Sequence, residues 1–123
     1  MRFPRLTVAL ALLTIPALGA TSDCDRDCLR DLITQYLAAM LTHNPAALSL
    51  GDQVHFTEDG VTLKPGEGLW KSMSKVRGYR EDFLDVRQRV AAAFVVVEDN
   101  GTPALFVLRL KTAEGRSPKL KPR

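Results

Sequence analysis

The side chains best suited to acid–base chemistry lie in one short segment, residues 79–86 (YREDFLDV), which can form a β-strand. Tyr79 and Asp85 are six positions apart, so on a strand they point to the same face. A phenol and a carboxylate held on one face offer a general acid and a general base. Phe83 shares that face, so simple packing is the alternative. The spacing therefore predicts Tyr79 and Asp85 as a candidate catalytic pair.

Further aromatic and titratable residues could line a binding site. Tyr36 lies on the apolar stripe of a predicted helix, where its hydroxyl points into a pocket or its ring packs in the core. His55 lies opposite the predicted face of Phe56, as a third catalytic candidate or as a surface histidine. Trp70 follows a glycine-containing turn and either shapes a pocket or belongs to the core. Tyr36, Trp70, Phe56 and Phe83 are the predicted ligand contacts.

The first twenty residues are typical of a secretory signal peptide. Two arginines precede an almost wholly apolar run (LTVALALLTIPAL) over residues 6–18, and small residues follow at 19–20. The run is too short for a membrane span, which needs about 20 apolar residues. We therefore expect residues 1–20 to be a signal peptide and the protein to be secreted or extracytoplasmic. No stable membrane insertion is expected after cleavage.

Cys24 and Cys28 are the two cysteines of the chain. Export makes oxidation the default, and a spacing of four on a helix puts the two Cα atoms about 6 Å apart, within disulfide range. The loop is small, so the bridge stabilises the fold by about 2 kcal/mol. A redox pair or half of a metal site is the alternative, but the chain has no CxxC motif. We predict a structural disulfide, no metal site and no cofactor.

The composition and charge of the chain exclude several classes of protein. The chain has 123 residues, 46% hydrophobic and 25% charged, which is ordinary globular composition. Without the two arginines of the leader, 15 basic and 14 acidic residues remain, a net charge of +1. This balance argues against nucleic acid as a partner. The chain has no GxSxG, HExxH, P-loop or dinucleotide-binding motif.

A long helix opens the predicted fold. An amphipathic pattern predicts a helix over residues 25–42, with Asn44 and Pro45 opening a second, short helix that ends at Gly51. The apolar stripe of the long helix consists of Leu29, Leu32, Ile33, Tyr36, Leu37, Met40 and Leu41.

Antiparallel strands follow. Alternating residues on either side of Asp59-Gly60 predict one hairpin, and the segments 90–97 and 103–111 around Asn100-Gly101 predict another. In the last strand, the predicted core face consists of Ala104, Phe106, Leu108 and Leu110. Residues 113–123 read as a basic, proline-containing tail. The order of elements predicts an α+β domain with the helix packed on a curved antiparallel sheet.

Several local strings resemble the nuclear transport factor two-like superfamily, which includes SnoaL-like cyclases and ketosteroid isomerase, and in particular an exported branch of it. The strings are CDRDCL at 24–29, YLAA at 36–39, HNP at 43–45, FTEDG at 56–60, GEGLW at 66–70, YR at 79–80 and VVEDNGTPALFVLRL at 96–110. The resemblance covers roughly residues 24–112. It implies a cone-like domain over residues 21–112, with an apolar pocket between helix and sheet.

The resemblance also implies one more strand near the end of the chain. Residues 117–123 (SPKLKPR) cannot form a central strand, because proline lacks the donor for the hydrogen-bond ladder. The last strand is therefore expected to be missing, with a truncated or divergent C-terminus and an uncovered sheet edge.

Two functions follow from these expectations. The first is binding of a small, largely apolar organic ligand in the pocket. The alternative is cofactor-independent isomerisation, dehydration or cyclisation of the SnoaL-like type, with Asp85, Tyr79 and His55 as catalytic residues. A homodimer formed through the sheet is the predicted protein partner.

Overall fold

The computed structural model describes residues 24–50 and 54–113 of the chain as an α+β arrangement, as predicted. The elements in chain order are α1 (Arg26–Leu41), a 3₁₀ turn (Pro45–Ala47), β1 (Phe56–Glu58), β2 (Val61–Leu63), α2 (Leu69–Ser72), β3 (Met73–Asp85), β4 (Val90–Asp99) and β5 (Thr102–Lys111). The predicted signal peptide and nearly all of the predicted tail lie outside the described residues. Within the described part, the helices are too short or too polar to cross a bilayer.

α1 begins one residue later than predicted, at a capped and cross-linked end. The Asp25 carboxylate accepts a hydrogen bond from the Cys28 backbone N–H at 2.9 Å, which satisfies one of the free donors of the first turn. Cys24 lies just outside the helix and is joined to Cys28 by a disulfide, with 5.2 Å between the Cα atoms. The predicted disulfide is confirmed, and the first turn stays helical because Cys24 is not part of it.

α1 ends in a left-handed residue that is not glycine. His43 has φ 52°, and its N–H donates to the Met40 carbonyl at 3.0 Å. The Asn44 N–H donates to the Ala39 carbonyl at 3.0 Å, which completes a Schellman motif. The predicted second helix reduces to the single 3₁₀ turn, whose first residue is Pro45 and whose cap is Asn44.

Two separate sheets follow. β1 and β2 form a hairpin around Asp59 and Gly60, as predicted, while β3, β4 and β5 form an antiparallel sheet in that order. Asn100 and Gly101 join β4 to β5 with φ 49° and 82°, the paired positive values of a tight hairpin turn.

β3 differs most from the sequence-based expectation. It begins at Met73, six residues before the predicted start at Tyr79. The segment before Tyr79 is polar, so it carries no strand pattern, but the long β4 supplies hydrogen-bond partners along it. Shifts in register between Met73 and Lys75, and between Val76 and Arg80, absorb the extra residues.

The core lies between α1 and one face of the three-stranded sheet. The predicted stripe of α1 is buried except for Leu41, which is 39% exposed, and Ala39 is buried in addition. On β5, Leu108 and Leu110 are buried and Ala104 and Phe106 are half-buried, which confirms the predicted core face. The sheet also contributes Met73, Ala91, Ala93, Val95 and Val97 to the core.

Candidate functional site

A cleft of about 590 Å³ runs along β5, an edge strand of the three-stranded sheet, and also reaches Val97 and Asp99 of β4. All eight residues from 104 to 111 line it, so it follows the edge of the strand rather than one face of the sheet. The opposite walls come from the second half of α1, from the β1–β2 hairpin and from α2. We call this space the edge cleft. Its volume lies within the range of about 300–1,000 Å³ that small-molecule sites occupy.

Two buried aromatic rings form one wall of the edge cleft. Tyr36 of α1 and Trp70 of α2 pack edge to face, with ring centroids 5.2 Å apart and an interplanar angle of 72°. The Trp70 Nε1–H donates to the Tyr36 hydroxyl oxygen at 3.1 Å. The His43 ring Nδ1–H donates to the Trp70 carbonyl. The end of α1 and the start of α2 are therefore joined through both the side chain and the backbone of Trp70.

The environment of Tyr36 keeps its hydroxyl protonated. Burial raises the pKa of Tyr36 from 10.0 to about 12, the hydrogen bond from Trp70 opposes that shift, and the Glu58 carboxylate adds to it. A phenol with this pKa is a poor base at neutral pH. It remains a hydrogen-bond donor, because Trp70 uses only the acceptor side of its oxygen. Tyr36 can therefore bind an acceptor atom of a ligand.

We expect Tyr36 to make the free energy of unfolding fall at alkaline pH. Its pKa is about 12 in the folded protein against 10.0 as its ordinary value, so the folded state holds this proton more tightly. The contribution is complete below pH 10 and is lost as the pH rises through 12, by roughly 2–3 kcal/mol in all. Urea unfolding between pH 9 and 12 measures it. Tyr36→Phe should flatten the decline, whereas Tyr79→Phe should leave it nearly intact, and equal curves for wild type and Tyr36→Phe would contradict the prediction.

Glu58 lies on the same cleft and connects β1 to α2. Both of its carboxylate oxygens accept from the Leu69 backbone N–H, at 3.0 and 3.1 Å. This contact supplies a cap for α2 that Gly68, at the N-cap position, cannot provide. No motif in the sequence marks Glu58 as a site residue. A carboxylate before an Asp-Gly turn is unremarkable, and its partner lies eleven residues further along the chain.

Four of the predicted site residues line the edge cleft. Tyr36, Trp70 and Phe56 lie there, as does His55, whose side chain is exposed. The three aromatic residues belong to α1, β1 and α2, and the fold brings them together.

The other three predicted site residues lie elsewhere, which corrects the expectation of one shared pocket. Tyr79, Phe83 and Asp85 do share one face of β3, as their spacing predicted, but that face points away from α1. Phe83 is 47% exposed and packs against Phe94, with ring centroids 5.1 Å apart. The candidate catalytic pair, Tyr79 and Asp85, therefore lies apart from the residues of the edge cleft. The reason is strand parity, since these residues alternate with Arg80, Asp82 and Leu84, which face α1.

Tyr79 and Asp85 also have structural partners. The Tyr79 hydroxyl donates to the Glu81 carboxylate at 3.0 Å, and this hydrogen bond raises the pKa of Tyr79. The Asp85 carboxylate accepts from the Gln88 N–H at 2.9 Å in the turn between β3 and β4. Within residues 24–50 and 54–113, no three His, Cys, Asp or Glu side chains are grouped to hold a metal ion.

No family model, curated protein or solved structure matches this chain. What its own residues define is an α+β domain in which a helix covers one face of an antiparallel sheet and a cleft follows the sheet edge.

Proposed function

We propose that this domain binds a small, largely apolar organic molecule in the edge cleft. The observation that carries the proposal is the cleft itself, about 590 Å³ in volume, with the Tyr36–Trp70 pair as its wall. Phe56, Leu69 and Phe106 add apolar surface around it. Burying a ligand there would gain about 25 cal/mol for each Å² of apolar surface removed from water.

The Tyr36 hydroxyl suggests which ligands fit best. It can donate to a carbonyl, hydroxyl or ether oxygen, while the surrounding surface favours rings or alkyl chains. We therefore propose an apolar ligand with a hydrogen-bond acceptor at one end.

We also propose that the protein works outside the cytoplasm and has the cone-like fold of the nuclear transport factor two-like superfamily. The Cys24–Cys28 disulfide supports export, because such bonds persist mainly in oxidising compartments. The packing of α1 on an antiparallel sheet supports the cone-like fold.

Binding is favoured over the acid–base alternative by the position of the candidate groups. Asp85 and Tyr79, two of the three residues assigned to that alternative, lie on the opposite face of the sheet from α1. Only the third, His55, lies on the edge cleft. Tyr36 remains protonated up to about pH 12. Both Glu58 oxygens already accept a hydrogen bond from Leu69. These groups are suited to orienting a ligand.

Titration with the neutral fluorescent probe N-phenyl-1-naphthylamine tests the proposal. Trp70 is the only tryptophan of the chain, so energy transfer from it to the probe reports binding close to the cleft. We expect saturable binding with energy transfer. Ala104→Phe, which places a ring in the cleft, should weaken binding by at least tenfold.

Ala38→Phe is the matched control, because it adds the same ring on the exposed side of α1. It should bind the probe as wild type does. Absence of saturable binding, or equal affinity of Ala104→Phe and wild type, would overturn the proposal.

A further inference from the structure

Two strands line the edge cleft along their length. Residues 104–111 of β5 line it without a gap, and so do residues 54–59, which contain β1. Within the described part of the chain, β5 pairs with β4 alone and β1 pairs with β2 alone. Each of the two strands therefore has a second edge that is available for pairing.

The register of β5 shows which of its backbone groups point to the cleft. Asp99 and Thr102 flank a two-residue turn, where the flanking residues exchange both hydrogen bonds and every second pair along the ladder does the same. The backbone groups of Leu105 and Val107 therefore point away from β4, and both residues line the cleft. Pro103 agrees with this count, because it falls at a position that donates no hydrogen bond to β4.

The same count applies to β1. Glu58 and Val61 flank the other two-residue turn, so the backbone groups of Thr57 point away from β2. A small ligand at the Tyr36–Trp70 wall would leave these strand edges to water. An extended peptide can instead form hydrogen bonds with both edges at once.

The dimensions of the cleft fit a single extended chain. Its eight residues of β5 span about 26 Å at about 3.3 Å per residue. Averaged over that length, about 590 Å³ gives a cross-section of about 22 Å², close to the square of the ~4.8 Å spacing between paired strands. A helix is about 10 Å across and would not fit.

The two edges of the three-stranded sheet differ in their protection against pairing. β3, at the other edge, has two register shifts and six charged residues, which are Lys75, Arg77, Arg80, Glu81, Asp82 and Asp85. Bulges and charges are common means by which an exposed edge avoids pairing with another chain. Residues 104–108 of β5 (ALFVL) have no charge and no register shift. β5 is therefore the edge that can accept a strand.

We propose that the edge cleft binds an extended peptide segment of a partner protein, which pairs with β5 and β1 and joins the two sheets. This inference goes beyond the proposed function, because it requires no small ligand. Residues 117–123 of the chain itself are unsuited to this place, since their two prolines lack the donor for a hydrogen-bond ladder.

The cleft also indicates the chemistry of the segment. An antiparallel arrangement on β5 is favoured, because antiparallel pairs are slightly more stable than parallel ones. Side chains that point towards α1 would lie beside Phe106 and Leu108 and should be apolar. Lys111 and Asp99 line opposite ends of the cleft along β5. The segment should therefore be acidic at its N-terminal end and basic at its C-terminal end.

Fluorescence anisotropy with a labelled peptide, EVTVTVTVK, tests the proposal. In the antiparallel arrangement its valines point towards α1 and its threonine N–H groups point to β5. We expect saturable binding with a micromolar dissociation constant. The same peptide with its three threonines N-methylated keeps every side chain but loses these donors, so it should bind at least about tenfold more weakly. Exchanging the terminal glutamate and lysine should also weaken binding, and equal affinity would contradict the orientation.

Val107→Pro tests the pairing from the side of the protein. It removes an N–H that points to the cleft and none that points to β4, so we expect peptide binding to weaken about five- to tenfold. Val107→Thr is the matched control, because it changes the same side chain and keeps the N–H. It should bind the peptide as wild type does. Circular dichroism verifies that both variants are folded.

The inference is overturned if the peptide does not bind saturably, if the N-methylated peptide binds equally well, or if Val107→Pro and Val107→Thr lose affinity equally. Binding of the naphthylamine probe without binding of the peptide would overturn it and leave the proposed function intact. Binding of the peptide without the probe would do the reverse. Peptide binding that appears only after deletion of residues 114–123, or only on dilution of the protein, would assign the cleft to that segment or to a second copy, and would also overturn it.

Discussion

Replacing Trp70 with alanine is expected to lower the free energy of unfolding by about 3–5 kcal/mol, the usual range for a buried aromatic residue. Trp70 is 1% exposed and lies among the largest fully buried side chains of the core. Its removal would leave a cavity between α1 and α2. It would also remove the N–H that donates a hydrogen bond to the Tyr36 hydroxyl, and the ring against which Tyr36 packs.

Trp70→Phe separates these contributions. Phenylalanine keeps an apolar ring next to Tyr36 but lacks the N–H, so we expect a smaller loss, about 1–2 kcal/mol. Urea unfolding followed by far-ultraviolet circular dichroism is the appropriate measurement, since the variants lack the only tryptophan. A loss below about 1 kcal/mol for Trp70→Ala would mean that the wall of the edge cleft contributes little to folding.

Those parts of the fold that depend on local patterns could be predicted from the sequence. The stripe of α1 follows from its spacing, and the hairpins around Gly60 and Gly101 follow from residues that accept positive φ. The disulfide followed from four residues of spacing and from the expectation of export. In each case the determining residues lie within a few positions of one another.

The start of β3 could not be predicted in this way. Its first residues form a strand because they pair with β4. The residues that determine where β3 starts therefore lie in a distant segment of the chain. The contacts of Arg80, on the face of β3 that points towards α1, could not be predicted from the sequence either. Its guanidinium forms an ion pair with Asp82 at 2.7 Å and donates to the Thr34 hydroxyl at 2.9 Å. A charged residue in a strand pattern gives no sign that it will bind a helix 46 positions earlier.

The candidate site was predicted only in part, for a related reason. Tyr36, Trp70, Phe56 and His55 were singled out by residue type, and all four line the edge cleft. Tyr79 and Asp85 were selected for a shared strand face, but spacing alone does not say which face of the sheet α1 covers. The alternation of side chains along a strand correctly predicted that these two residues share a face. It did not determine which side of the sheet that face lies on.

Replacing Gly68 with alanine is expected to lower the free energy of unfolding by about 3–5 kcal/mol, more than a turn glycine usually costs. Gly68 has φ 65° and ψ −133°, a conformation that residues with a Cβ rarely adopt. A Cβ built there would lie 1.6 Å from Glu58 Oε2 and 2.8 Å from Glu58 Cδ. The carboxylate would have to leave its position at the Leu69 N–H. Strain and the loss of a charge-assisted hydrogen bond therefore act together.

Gly60→Ala isolates the contribution of Glu58. Gly60 also has a positive φ, 78°, but a Cβ there meets nothing within 4 Å, so its cost is strain alone, about 1–2 kcal/mol. A double-mutant cycle provides the second control, because Glu58→Ala removes the group that a Cβ at position 68 displaces. On that background Gly68→Ala should cost clearly less than it does in wild type, although the Cβ still lies 3.1 Å from Leu63 Cδ1. If Gly68→Ala were as costly with Glu58 absent as with it present, the carboxylate would not be what fixes the start of α2. A smaller cost on that background would instead show that the Glu58 carboxylate fixes the start of α2, the element that carries Trp70.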